Sequence, residues 1–197
     1  MRRGWSTECR REPRRLAIEL FKQIPAFPSL AEALGDLGAC WLRRGNWRQA
    51  VNVLEECRQL IAERKLRGHE ITSPLNNLAE AYLLALEDSR SGPRSELVRK
   101  AETACRAALA QGRRVCGGLP QALRAQGRYA WLMGRPRAAR RWWERSLAVA
   151  AALDAQYERG MTYLEVGRRL GDAASVAHAE RLLGAIDARL DLIAAKR

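Results

Sequence analysis

The 197-residue sequence predicts an all-α protein, an α-solenoid of antiparallel helical hairpins with about nine helices. Proline falls at the starts of the apolar helical stretches and glycine at their ends, and no useful length alternates with period two. Two stretches also share one spacing of small residues, Gly38, Gly45 and Ala50 in the first and Gly127, Gly134 and Ala139 in the second. A hairpin that recurs in this way cannot bury its apolar face alone, so the fold needs neighbouring copies.

The first two helices are delimited by prolines and a capping signature. A helix is predicted over Glu12–Gln23, because prolines at positions 25 and 28 close it. Ser29 and Glu32 form an S-x-x-E capping box, which predicts a second helix from Ser29 to about residue 44. The chain therefore divides in two: 1–28 is a basic segment with one capping or partial-repeat helix, and 29–197 is a repeat array of about four hairpins.

The next boundaries follow from glycine, asparagine and proline. Gly45 ends the second helix, and Asn46 caps a third helix that runs to about residue 66. Ser73, followed by Pro74, begins the fourth helix. These residues predict the first full hairpin and the start of the second.

The second half of the chain is also read as helix. A polar loop is predicted over 87–95, where Gly and Pro give turn chemistry. Pro136 and Asp172 mark two later helix starts. Five further helices are predicted over 96–114, 120–133, 136–153, 155–170 and 172–195.

Four copies of one residue ladder can be followed along the chain. The first copy consists of Leu37, Gly38, Trp41, Gly45, Ala50, Leu54 and Cys57. The second, interrupted by about ten extra residues, consists of Leu78, Ala79, Tyr82, Ala101, Cys105 and Ala108. The third consists of Leu123, Gly127, Gly134, Ala139 and Trp143, and the fourth of Gly160, Tyr163 and Gly171. From about residue 29 to 195 this ladder resembles the tetratricopeptide repeat, a 34-residue helix–turn–helix unit.

The resemblance implies a scaffold that binds a protein segment. The stretch 118–160 is similar to the helical C-terminal region of bacterial signalling proteins that join an adenylate cyclase domain to a STAND-type ATPase. That similarity implies a regulatory array that senses a ligand or partner. The chain carries neither a GxxxxGK[ST] phosphate loop nor the metal-binding pair of a cyclase, so the catalytic parts of such proteins are missing.

The resemblance also selects candidate groove residues, because the first helix of each hairpin lines the concave groove in this family. The selected positions are Arg43, Asn76, Glu80, Arg124, Arg128 and Trp131. Arg124 and Arg128 share one helix face and, with Asn76, are candidates to grip a carboxylate or phosphate. Trp131 is a candidate aromatic anchor. The alternative is that the arginines are solvated and that Trp131 packs between repeats.

A second candidate surface is basic and lies on the outer, convex side. Arg137, Arg141 and Arg145 form a stripe on the helix after Gly134, beside Trp142. Such a stripe either contacts nucleic acid or a membrane surface, or is an ordinary solvated face. The choice between these interpretations depends on how the net charge of +13 is explained. That charge arises from 35 Lys and Arg against 22 Asp and Glu.

Nearly all of this positive charge is arginine. Two explanations stay open: a basic surface for nucleic acid or an acidic partner, and the arginine preference of a GC-rich genome. The abundance of Ala, Leu and Gly fits the second.

Neither a metal site nor a catalytic constellation is predicted. The five cysteines lack CxxC spacing, and His69 and His178 lie far apart, so buried free thiols are expected and no zinc site. Three glutamates, Glu144, Glu158 and Glu165, are read as separate surface carboxylates with no acid/base partner. No cofactor is expected.

The first fifteen residues lack a secretory signal, so cytoplasmic residence without a membrane span is expected. The favoured hypothesis is a non-enzymatic scaffold or sensor that holds a protein segment in a helical groove, in bacterial signalling or regulation. The alternative is an arginine-rich nucleic-acid-binding repeat protein. An uncapped solenoid end is apolar, so homo-oligomer formation is a further expectation.

Overall fold

In the computed structural model, which describes residues 11–88 and 94–186, all regular structure is helical. Within those residues there are nine α-helices and two short 3-10 turns, at His69–Ile71 and Cys116–Gly118. The helices are α1 Arg11–Gln23, α2 Phe27–Arg43, α3 Trp47–Glu63, α4 Thr72–Glu87, α5 Arg94–Arg114, α6 Leu119–Leu132, α7 Pro136–Ala152, α8 Gln156–Leu170 and α9 Ala173–Ala185. The prediction of an all-α protein is confirmed for the described residues. The predicted loop at 89–93 and the end of the last predicted helix, 187–195, lie outside them.

Several predicted helix starts are confirmed at the level of single hydrogen bonds. The Asn46 side chain accepts a hydrogen bond from the Gln49 backbone N–H at 3.2 Å, which caps α3. Asp172 accepts from the Ala174 N–H at 3.1 Å and caps α9. Pro136 is the first residue of α7, where its missing N–H costs nothing.

The capping box at Ser29 and Glu32 is wrong. The N-cap of α2 is Ala26, which makes no side-chain capping bond, and Ser29 is already inside the helix. Pro28 explains the difference, because it lies in the first turn of α2 rather than closing α1. A proline near a helix boundary is compatible with either side of it.

The second pair of helices accommodates its extra residues without a longer first helix. α4 has 16 residues and α2 has 17, whereas α5 has 21. The insertion therefore falls after α4 and in the longer α5.

The small residues of the first and third copies are explained by close helix contacts. A Cβ atom added at Gly38 of α2 would lie 2.5 Å from Leu54 of α3, and one added at Gly127 of α6 would overlap the Trp143 ring of α7. Both pairs are 16 residues apart, and the two copies are offset by 89 residues (127 − 38 and 143 − 54). The glycines thus let a large side chain pack against the helix backbone.

Turns and buried hydrogen bonds repeat with the same offset. Cys57 donates to the Ala31 carbonyl at 3.3 Å, and the Ser146 hydroxyl donates to the Pro120 carbonyl at 2.8 Å. In the turns, Gly45 and Gly134 have φ of 71° and 68°, a left-handed conformation that glycine adopts at little cost. Residues 31–66 and 120–155 therefore share one internal framework.

The packing order brings every second helix together. α2 packs on α3, α4 on α5, α6 on α7 and α8 on α9, and the first helices of these pairs also contact one another: α2 with α4, α4 with α6, and α6 with α8. Within the described part of the chain, no helix has the length and apolar composition needed to cross a bilayer.

Candidate functional site

One groove is lined by the first helix of each pair. It has a volume of about 540 Å³, and α2, α4, α6 and α8 all contribute side chains to it. Four of the six predicted groove residues, Arg43, Glu80, Arg124 and Arg128, lie in its lining. The other two, Asn76 and Trp131, lie elsewhere.

Arg128 is the centre of an ion-pair network in this groove. Its side chain is 9% exposed, and its Nε and Nη2 atoms donate to the two carboxylate oxygens of Glu87 at 2.9 and 2.7 Å. Its Nη1 atom bonds to Glu80, and Glu165 lies 3.9 Å from Nε. One guanidinium of α6 thus joins carboxylates of α4 and α8, in the two-pronged geometry that arginine favours.

The network extends over a second and third arginine. Arg124, one turn before Arg128, forms an ion pair with Glu158 of α8. Arg169 of α8 donates to Glu165 at 2.9 Å and also pairs with Glu87. Three helices that are distant in sequence are therefore held together by charged hydrogen bonds.

The charges stabilise one another in their ionised forms. Burial raises the pKa of Glu87, but the hydrogen bonds and positive charges of Arg128 and Arg169 lower it below its ordinary value. Burial lowers the pKa of Arg128, yet Glu80, Glu165 and Glu87 raise it above the usual arginine value. Both partners stay charged at neutral pH.

The groove is close to electrically neutral, although the whole chain carries +13. The carboxylates in its lining are Asp36, Glu80, Glu87, Glu158 and Glu165. The arginines in its lining are Arg43, Arg124, Arg128 and Arg168. Arg124 and Arg128 are neither solvated nor open to an external anion, because carboxylates of the chain itself occupy them.

Asn76 and Trp131 lie between helices instead of in the groove. Asn76 is 2% exposed and donates to the Gly118 carbonyl at 3.1 Å, so it fastens α4 to the turn before α6. The Trp131 ring lies 6.0 Å from the Trp143 ring and packs in a cluster of α6, α7 and α8. The amide that does line the groove is the next residue, Asn77.

Sequence reasoning predicted Glu80 but missed the other carboxylates of the network, Glu87, Glu158 and Glu165. Glu158 and Glu165 were expected to be separate surface carboxylates, but their side chains are 17% and 12% exposed and paired. The sequence does contain a signal for them, because a spacing of seven residues places two side chains on the same face of a helix. Glu80 and Glu87 have this spacing on α4, and Glu158 and Glu165 have it on α8. These two acidic faces flank the basic face of α6.

The predicted basic stripe is a separate surface on α7. Arg137, Arg141 and Arg145 are exposed and border a shallow hollow of about 770 Å³ that also includes Trp142. The Arg145 guanidinium lies 4.8 Å from the centre of the Trp142 ring. Among the described residues, no carboxylate pairs with any of these three arginines.

The sequence before and within this stripe has few carboxylates, and the nearest one, Glu144, forms no ion pair with Arg137, Arg141 or Arg145 among the described residues. Between Glu102 and Glu144 the chain has nine arginines and no Asp or Glu. Arg124 and Arg128 receive carboxylates from α4 and α8 through tertiary packing. The outer face of α7 has no such neighbour in the part of the chain that the structure describes, so its charge remains open to solvent.

The expectation of buried free thiols holds for Cys57 and Cys105, whereas Cys40 is partly buried and Cys116 is exposed. Burial raises the pKa of the Cys57 and Cys105 thiols to about 12, which keeps them protonated. No cluster of three or more His, Cys, Asp and Glu side chains in residues 11–88 and 94–186 has a geometry that would hold a metal ion.

No protein-family model matches the chain, and no curated protein matches it.

Proposed function

We propose that this chain is a non-enzymatic scaffold of tetratricopeptide-like antiparallel hairpins that holds a protein segment in the groove of α2, α4, α6 and α8. The observation that carries the proposal is the groove itself, to which four successive first helices each contribute side chains. The framework repeated at an offset of 89 residues supports the assignment to a helical repeat array. The resemblance of residues 118–160 to regulatory proteins supports a role in bacterial signalling.

The charges of the groove favour a neutral or basic segment over an acidic one. The side chains of Glu80 and Glu87 are 30% and 27% exposed, whereas that of their partner Arg128 is 9% exposed. An incoming segment therefore meets carboxylate edges before it meets guanidinium groups. Gln121, which also lines the groove, supplies an amide group for hydrogen bonds to an extended backbone, whereas the Asn77 amide already donates to Gly35 and Ser73.

Filling the groove tests this proposal better than removing its arginines, because Arg124 and Arg128 also hold the helices together. Ala39 of α2 lines the groove, and Ala39→Trp would place a bulky ring in it. Ala152→Trp, at an exposed position at the end of α7, is the matched control. Peptides selected from a random library on the wild-type protein should bind Ala39→Trp at least tenfold more weakly and the control equally well.

Two results would count against the proposal. If Ala39→Trp binds the selected peptides as tightly as the wild type, the groove is not their site. If the selected peptides are predominantly acidic and resist competition by basic peptides, the expected chemistry of the occupant is wrong.

A further inference from the structure

The exposed face of α7 has a regular arrangement of charge. Arg137, Arg141 and Arg145 recur every four residues, which places successive guanidinium groups about 6 Å apart along the helix axis at about 1.5 Å per residue. The opposite face of α7 is buried through Ala139, Trp143, Ser146 and Ala150. The three arginines therefore project away from the core in one row.

An aromatic ring lies beside this row. Trp142 is partly buried against the cluster of α6, α7 and α8, and its ring borders the hollow. Arg145 lies over the ring at 4.8 Å, in a cation–π contact that leaves the two planar groups adjacent. The hollow thus combines a flat apolar surface with cationic edges.

We infer that this face is a second binding site, for single-stranded nucleic acid. A row of guanidinium groups complements the repeated negative charge of a phosphate backbone. Each arginine can also bind a phosphate through two parallel hydrogen bonds. Trp142 and Arg145 offer planar surfaces on which an unpaired base stacks. Both features lie within one hollow.

Other occupants fit this face less well. A membrane-binding helix exposes large apolar side chains that enter the lipid, whereas the residues bordering this hollow are mainly arginines, with Ala138, Pro136 and one partly buried tryptophan. An acidic peptide matches the charge but has no base to stack on Trp142. A duplex keeps its bases inside its own stack, so it would use the arginines alone.

The corresponding face of α3 gives an internal comparison. Subtracting the offset of 89 residues from Arg137, Arg141 and Arg145 gives Arg48, Asn52 and Glu56. Arg48 lies 3.7 Å from a carboxylate oxygen of Asp88. The same framework thus carries a face without net positive charge in one copy and an open arginine row in the other.

The inference is tested with fluorescein-labelled oligothymidylate, whose binding is followed by fluorescence anisotropy over a series of salt concentrations. Binding affinity falls with salt, and the triple variant Arg137→Gln, Arg141→Gln, Arg145→Gln should make the plot of log affinity against log salt less steep by about 2. Each phosphate of a single strand that is no longer neutralised reduces the steepness by about 0.7. Trp142→Leu should weaken binding about tenfold at constant salt, since one base can no longer stack on the indole ring.

A matched triple variant separates a site from a general charge effect. Arg67→Gln, Arg113→Gln, Arg114→Gln removes the same charge from three exposed positions outside α7 and should leave the affinity within about twofold. Equal weakening by this control would overturn the inference, as would an absence of binding by the wild type at low salt. Equally tight binding of a duplex, or of vesicles containing phosphatidylserine, would also overturn it. Thermal unfolding of each variant checks that the fold is retained, and the arginine variants decide the test if Trp142→Leu does not fold.

Discussion

The helix pairs α2–α3 and α6–α7 share an interior packing arrangement but have different surfaces. In both, a glycine of the first helix packs against a large residue of the second, Gly38 against Leu54 and Gly127 against Trp143. In both, a small polar side chain of the second helix donates to a carbonyl of the first. The interior is therefore a shared solution to packing two helices.

The surfaces of the two pairs differ most at arginine. At the offset of 89 residues, Arg124 and Arg128 of α6 correspond to Gly35 and Ala39 of α2. Arg141 and Arg145 of α7 correspond to Asn52 and Glu56 of α3. The pair α6–α7 therefore has more positive charge than α2–α3 both on the groove face of α6 and on the outer face of α7. Only the arginines on the groove face form ion pairs with carboxylates among the described residues.

This difference shows that the role of an arginine depends on the groups that the fold brings to it. Arg128 is enclosed by Glu80, Glu87 and Glu165, so it acts as a structural joint between α4, α6 and α8. Arg137 and its neighbours have no such partners in the described residues, so their charge is available to a ligand. Four substitutions or sets of substitutions should break or sharpen this contrast, with effects that decrease from the network to the helix cap.

Arg128→Met should lower the free energy of unfolding by about 3–5 kcal/mol, because it leaves three carboxylates near one another without their central cation. Arg137→Met, on the outer face of α7, is the control and should change it by less than about 0.5 kcal/mol. Urea unfolding followed by far-ultraviolet circular dichroism measures both. Similar effects of the two substitutions would show that the network is not a joint.

The shared interior predicts similar costs in the two pairs. Gly38→Ala and Gly127→Ala should each destabilise the protein by about 1–3 kcal/mol, because the new methyl group overlaps Leu54 or Trp143. Gly184→Ala in α9 has no atom within 4 Å of the added carbon and should be neutral or stabilising by up to about 1 kcal/mol. If only one of the two interior substitutions destabilises the protein in the same unfolding assay, the two pairs do not share one framework.

The ion-pair network around Arg128 should make the free energy of unfolding depend on pH in the acidic range. The pKa of Glu87 in the folded protein lies below its ordinary value of 4.5, so its contribution is complete above that value and is lost as the pH falls through the lower folded pKa. Glu87→Gln should therefore flatten the decline in unfolding free energy below about pH 4.5, when chemical denaturation is repeated across pH. Glu63→Gln, at an exposed position at the end of α3, should follow the wild-type curve; a Glu87→Gln profile as steep as wild type would contradict this assignment.

The smallest effect is expected at the start of α7. Arg135 occupies the N-cap of α7 without a side-chain capping bond, whereas Asn46 caps α3 with a similar backbone conformation, φ −93° and ψ 73° against −113° and 66°. Arg135→Asn should therefore raise the thermal unfolding midpoint, by a stabilisation of about 1 kcal/mol. The reciprocal control Asn46→Ala should destabilise the protein by about 1 kcal/mol. No gain from Arg135→Asn would mean that the two helix starts are not equivalent.

The helices were predictable because their signals are local. Asn46, Pro136 and Asp172 marked helix starts correctly, since capping and proline effects act within one turn. The Ser29 box failed because a second local signal, Pro28, moved the start of α2 to Phe27. Where two local signals compete within a few residues, the pattern leaves the boundary open.

The groove was only partly predictable because neighbouring residues on a helix face different directions. Asn76 and Asn77 are adjacent, yet only Asn77 lines the groove. Trp131 was a candidate for the groove with packing between helices as the alternative, and its ring lies near that of Trp143, as in the alternative. A choice between such faces depends on the rotation of each helix against its neighbours, and no local pattern gives that rotation.

By itself, the sequence determined the helical class, several helix ends and the glycines at which the helices of a pair approach. These depend on interactions within a turn or on the presence of a side chain at one position. Only the tertiary structure decided which arginines are neutralised. Arg128 meets Glu87, 41 residues away, because α4 and α6 pack side by side, whereas nothing in the described part of the chain packs over Arg141. Charge pairing over such distances follows from packing, so identical side chains became a joint in one place and an open surface in another.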